Sequence, residues 1–187
     1  MICDGLRDPD RLLGPLFFGE KPMALTANFT LNMTLTYTKT TDLGTVPYTL
    51  VLGRGKSFTN GTGANKAQVL FDDQRTLADG ANETIDLHDG TLTDALGVAV
   101  TIDIVRALYI KNGSTDASLL IGGAAGTQIG LFNDVTDVLK LPPGGEFLYI
   151  APDATGLNVE TNADLKLAHD GTGSSTLTYD IIVVGED

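Results

Sequence analysis

The sequence is poor in the residues that carry chemistry. Its 187 residues include two histidines, one cysteine and no tryptophan. Cys3 has no second cysteine to pair with, which excludes an internal disulfide. That fits a reducing compartment, or an assembly that does not rely on oxidation. Lys and Arg number 12 against 24 Asp and Glu and form no basic stripe. Neither a phosphate backbone nor an anionic membrane is therefore an expected partner. No apolar run approaches the ~20 residues of a membrane-spanning helix. A carboxylate pair for glycoside cleavage would lack the aromatic platforms that sugar sites use, because aromatic residues make up only 6% of the chain.

What is present is 42% apolar residues, 22 glycines and many threonines. The length suits one domain with a short appendage, and a body of roughly 160 residues would bury about 70% of its unfolded surface. The net charge of −12 keeps such a chain soluble. It also suits a surface facing a salty medium or a basic partner. These features describe a non-enzymatic structural or binding module.

Three segments follow from the composition. Residues 1–22 mix charges and prolines around an apolar knot of Leu12, Leu13, Leu16, Phe17 and Phe18. Asp8 and Asp10 accompany the arginines, and Gly14-Pro15 interrupts the apolar stretch, so the segment does not read as a secretory signal. Two readings stand side by side. One is an extended N-terminal arm that docks its apolar knot on a neighbouring subunit. The other is an overcalled start, with translation beginning at Met23 after a Gly19-Glu20-Lys21 that GGAGAAA can encode. Residues 23–61 form a β-hairpin segment: Phe29, Leu31, Met33, Leu35 and Tyr37 alternate with polar residues, the pattern of a half-buried strand. Tyr48–Leu52 is the second strand, and Gly53, Gly55, Asn60-Gly61 and Gly63 mark a loop.

Residues 62–187 repeat strand and turn. Strands are expected at 67–71, 84–87, 98–104, 107–110, 118–121, 138–141, 147–150, 157–161, 165–168 and 178–184, with Val98, Val100, Ile102 and Ile104 facing inward. A short helix is expected over Leu92–Leu96. The breakers recur at the spacing of an all-β sandwich or barrel. The expected fold is an antiparallel two-sheet β-sandwich, jelly-roll-like, with the extended arm in front. The final strand, Tyr179–Val184, is apolar on both faces, which suits a central strand or one sealed by another subunit.

No motif gathers into a site. Gly53-Arg54-Gly55-Lys56-Ser57 resembles the end of a phosphate-binding loop, but Leu50 occupies the position of its first glycine and a turn follows where a helix is needed. Asp86, His88, Asp89 and the pair His169-Asp170 would bind a transition metal only if their strands met. Asp72-Asp73, Asp134 with Asp137, and Asp170-Gly171 lack the spacing of a calcium loop and read as turn formers. No serine lies in a G-x-S-x-G elbow. The N-x-[ST] triplets at Asn28, Asn32, Asn60, Asn82 and Asn112 reflect composition. No catalytic residue, cofactor or metal is expected.

The body does carry a resemblance. Its segments GTLTDALGVAVTIDIVRALYIKN, LLIGGAAGTQIGLFND, LPPGGEFLYIAPDATG and YDIIVVG resemble a family of small proteins encoded in tailed-phage and prophage structural gene clusters. The order of features agrees: a strand start at Arg75-Thr76-Leu77, a Gly122-Gly123-Ala124 loop, a Pro142-Pro143-Gly144-Gly145 turn and a terminal strand. By size and fold the family is similar to jelly-roll capsid decoration or cement proteins. The resemblance implies a virion protein on the capsid exterior, made in the host cytoplasm, with the major capsid protein and itself, as a homotrimer, for partners. The alternative is a receptor- or carbohydrate-binding jelly roll on a tail or fibre.

Overall fold

The computed structural model describes residues 24–173 and 175–187. Fourteen strands and no helix lie within them: β1 (Thr26–Thr41), β2 (Gly44–Asn60), β3 (Lys66–Ala67), β4 (Val69–Leu77), β5 (Asn82–Asp86), β6 (Leu92–Thr93), β7 (Ala99–Val100), β8 (Ile104–Asn112), β9 (Leu119–Gly122), β10 (Val138–Leu141), β11 (Glu146–Ile150), β12 (Leu157–Asn158), β13 (Asp164–His169) and β14 (Leu177–Glu186).

Eight of them build an antiparallel sandwich. One sheet runs β11-β8-β14-β4, with β12 also on β8, and the other runs β10-β9-β13-β5. Counted along the chain as first to eighth, the sandwich strands β4, β5, β8, β9, β10, β11, β13 and β14 pair first with eighth, second with seventh, third with sixth and fourth with fifth. That nesting is a jelly roll, a long ribbon wrapped into two sheets. Residues of period two fill the space between them. Leu108, Ile110, Tyr179, Ile181, Val183 and Phe71 on one sheet meet Leu119, Ile121, Leu165, Leu167 and Ile85 on the other.

Two buried polar knots hold the ends of this core. The guanidinium of Arg106, without solvent exposure, donates from Nε and Nη2 to Glu186 Oε1 at 2.9 and 2.7 Å. Its remaining donors reach the carbonyls of Asp153 and Ala154. Asn112 donates from Nδ2 to the carbonyls of Ala117, Leu141 and Pro142 and accepts the Ser114 N–H, closing the turn that follows β8.

The Pro142–Gly145 turn is of the expected kind. Gly145 donates its N–H to the Pro142 carbonyl, and Gly144 takes φ +68°, as a type II turn with Pro in its second position requires. Several expectations need correction. The strand at 98–104 survives only as Ala99–Val100, and Val98 is exposed rather than inward while Ile104 is half-buried. Leu92–Leu96 is not helical. The Asp94 carboxylate accepts the N–H groups of Leu96 and Val98, an alternative that an aspartate offers the backbone in place of a helical turn. Gly53 and Gly55 are not in a loop but inside β2, opposite Asn32 and Thr30. Neither has a positive φ, and with no side chain they simply leave the polar face of the ribbon narrow. The expected strand at Ala67–Phe71 is split at Gln68: Ala67 ends β3, while β4 starts at Val69 and runs on to Leu77, so Asp72 and Asp73 sit within a strand.

Candidate functional site

The feature that stands apart from the jelly roll is the hairpin before it. β1 and β2 pair without interruption from Thr26↔Thr59 to Thr41↔Gly44 across a two-residue turn at Asp42-Leu43. Only the base of this ribbon touches the body. Ala27, Phe29 and Phe58 pack on Ala107, Val184, Leu70, Ile150 and Ile182, the outward-facing side chains of the β11-β8-β14-β4 sheet. Phe29 and Phe58 meet edge to face at 6.0 Å. Parallel pairing of β2 with β3, and an Asn65 at φ +58° whose N–H reaches the Pro152 carbonyl, fix the base. Beyond it, from Thr30 to Thr41, every residue of β1 is exposed. At ~3.4 Å per residue this is a free arm of roughly 40 Å.

The arm has two unlike faces, because directly paired residues of an antiparallel ribbon share a face. On one lie Leu31, Met33, Leu35, Tyr37 and Lys39, paired in turn with Arg54, Leu52, Leu50, Tyr48 and Val46. On the other lie Asn32, Thr34, Thr36, Thr38 and Thr40 with Gly53, Val51, Thr49, Pro47 and Thr45. The threonines serve one another there, as Thr36 and Thr49 do through their hydroxyls at 3.4 Å. The apolar face continues the one that packs at the base, yet outward of Phe29 none of the described residues covers it. Leu35 is 55% exposed, Tyr37 72% and Tyr48 64%. The exposed side chains of this face present on the order of 700 Å² of surface, taking ~200 Å² for a fully exposed large side chain. That exceeds the 300–600 Å² of the largest apolar patch on an ordinary monomer. An isolated two-stranded ribbon is also marginal in water. Among the described residues nothing completes the arm. The expected half-buried strand over 29–37 is thus corrected: its apolar side is open from Leu31 outward, because no third layer of described residues lies over it.

Charge divides along the same line. The described part of the arm, 24–60, carries Lys39, Arg54 and Lys56 against Asp42, a net +2. Residues 61–187 carry 19 acidic and 6 basic side chains, a net −13. The free part of the outer sheet face concentrates this. Next to the row that the arm base covers, Leu148, Tyr109, Ile182 and Asp72 lie side by side across β11, β8, β14 and β4. One row further on, Glu146 and Asp180 stand on either side of Lys111, and Asp72, Gln74, Tyr109, Asp180 and Ile182 line a shallow depression there. Burial, then the Glu146 and Asp180 carboxylates, push the Tyr109 phenol above its ordinary range.

The other singled-out residues do not converge. His88 Nδ1 lies 3.0 Å from Asp103 Oδ1, while His169 is buried and accepts the Gly171 N–H on Nδ1. Among the described residues no group of three or more His, Cys, Asp and Glu is placed to hold a metal ion. Asp134 and Asp170 each cap a turn through a threonine two residues on. The Thr172 hydroxyl, with Lys140 and two backbone N–H groups, holds the Asp170 carboxyl well below the usual carboxylate range. Glu83 accepts from Tyr179 Oη at 2.8 Å and from Arg75 at 2.7 Å, and burial followed by Glu83 drives the Tyr179 phenol far up. These are links within the sandwich. Leu12, Leu13, Leu16, Phe17 and Phe18 lie outside the described residues. Among those described, no helix is long and apolar enough to cross a membrane. The chain matches no protein-family model and no curated protein.

Proposed function

We propose that this chain is a non-enzymatic structural protein of a tailed-phage virion, a head decoration or cement protein that bridges neighbouring major capsid subunits. The observation that carries the reading is the arm: a jelly roll bears a projecting ribbon with an apolar face that none of the described residues covers. Such an arm suits a lattice protein, which gains area by reaching past its own boundary. The segment resemblance points to the virion, and the jelly roll is a fold used in capsids. In this proposal the sandwich adds buried area and hydrogen bonds across capsid joints, and Leu12, Leu13, Leu16, Phe17 and Phe18 supply the contact with the major capsid protein. Homotrimers placed over the joints would match the symmetry of the sites.

The test is co-sedimentation of the purified chain with undecorated phage heads. Saturable binding in whole multiples of the joint sites, lost on deletion of residues 1–22, is the expected result. Absence of binding to heads, combined with binding to tails or to glycans on an array, would replace the reading with the tail-module alternative.

A further inference from the structure

The arm and the free half of the outer sheet face are matched to each other, yet within one chain they are not in contact. We propose that the arm of one copy lies, apolar face down, across the Leu148–Tyr109–Ile182 row of a second copy, where that copy's own arm base already packs on part of Ile182.

Three observations choose a second copy as the occupant. The first is continuity. The ribbon face that packs on the outer sheet at its base, through Ala27, Phe29 and Phe58, is the same face that carries Leu31, Met33, Leu35 and Tyr37 further out. The outer sheet face likewise continues beyond its covered row: Val184 is 2% exposed under the arm base, while Leu148, in the next row, is 44% exposed. One surface is thus a repeat of a contact that the chain already makes.

The second is charge. The arm's Arg54 and Lys39 lie at the two ends of its apolar stripe, opposite Leu31 and Val46, and the receiving side carries Asp72, Asp180 and Glu146 against Lys111. A net +2 ribbon placed on a net −13 body relieves repulsion between copies that are otherwise strongly acidic. The third is area. About 700 Å² on one arm is close to the ~800 Å² that each partner contributes to a stable interface, and every copy both gives and receives an arm. A contact of unlike surfaces closes into a ring when the rotation between copies permits. This inference does not depend on the virion reading, because it concerns the purified chain alone.

Light scattering of the full chain on a sizing column tests it. The wild type should run as a closed oligomer at micromolar concentration. Leu35→Asp with Leu50→Asp on the apolar face should lower the mass to that of one chain, and so should Asp72→Lys with Asp180→Lys on the receiving face. Thr34→Asp with Thr36→Asp on the opposite face of the arm should leave the mass unchanged. Every substituted side chain is exposed or half-buried, and circular dichroism of each variant checks that the sandwich is intact. A wild type that is monomeric at 100 μM overturns the proposal. So does an oligomer that survives the Asp72/Asp180 reversal but not the Leu35/Leu50 change, since arms would then be meeting each other rather than the sheet. Loss of head binding with the oligomer retained would strike the virion reading only.

Discussion

Replacing Glu186 by alanine should be among the most damaging single changes in this protein. The Arg106 guanidinium is wholly buried, and Glu186 Oε1 receives two of its donors at 2.9 and 2.7 Å as well as the N–H of Gly63 at 2.7 Å. In Glu186→Ala the guanidinium keeps only its carbonyl partners, and a buried cation is left without a counter-charge. Breaking a buried pair in this way costs about 3–5 kcal/mol. At roughly 2–4 °C per kcal/mol for a domain of this size, the melting temperature should fall by ~10 °C. Glu186→Gln keeps an acceptor oxygen and should cost less. The double change Arg106→Met with Glu186→Leu removes both charges and should recover most of the loss, since well-packed apolar replacements of buried pairs are often near neutral. The assay is urea unfolding followed by circular dichroism at one fixed protein concentration, because any self-association adds to apparent stability. A Glu186→Ala cost below ~1 kcal/mol, or a double variant as unstable as the single one, would refute the assignment of this pair as a lock on the core.

Two further outcomes follow from the polar groups at the turns. Asn112→Leu removes the single amide that satisfies the carbonyls of Ala117, Leu141 and Pro142, and at about 1–3 kcal/mol for each buried polar group left unpaired the loss should be at least ~2 kcal/mol in the same unfolding assay. The Asp170 carboxyl is held below its ordinary range chiefly by the Thr172 hydroxyl, so its stabilisation is present above pH ~4 and is lost as the pH falls toward its lower folded value. Asp170→Asn should therefore lower stability at pH 7 and flatten the fall between pH ~4 and 2. An unaltered pH profile in the variant would show that other carboxylates set the acid limit.

Much of the sandwich was legible along the chain because its strands are short and sharply punctuated. Val138–Leu141 ends at Pro142-Pro143 and was readable to the residue. The final strand, apolar on both faces, is explained by its place: Tyr179, Ile181 and Val183 face the core, while Ile182 and Val184 lie on the outer face at the arm base. Where local patterns failed, distant residues decided. Gly53 and Gly55 look like a loop until Asn32 and Thr30 pair with them, and no local signal announces a partner more than twenty positions away. Arg106 and Glu186 stand 80 positions apart and carry no spacing motif. The alternation at Phe29–Tyr37 correctly gave the arm two faces. It could not show that the apolar one is uncovered, because period two reports a difference between faces and not what lies above them.

The nested order of the strands has a consequence in time. The arm's seat includes Ile182 and Val184, in the strand that pairs with the first strand of the sandwich and is synthesised after all the others. A hairpin such as the arm closes in ~1–10 μs. Its seat emerges more than a hundred residues later, on the order of 10 s at ~5–20 residues per second. Throughout that interval the ribbon, marginal by itself, has no body of its own to rest on. In the proposed assembly the receiving face on β8 and β14 is likewise finished only with the last strand, so the order of the chain, arm before body, puts both seats of the arm at the end of synthesis.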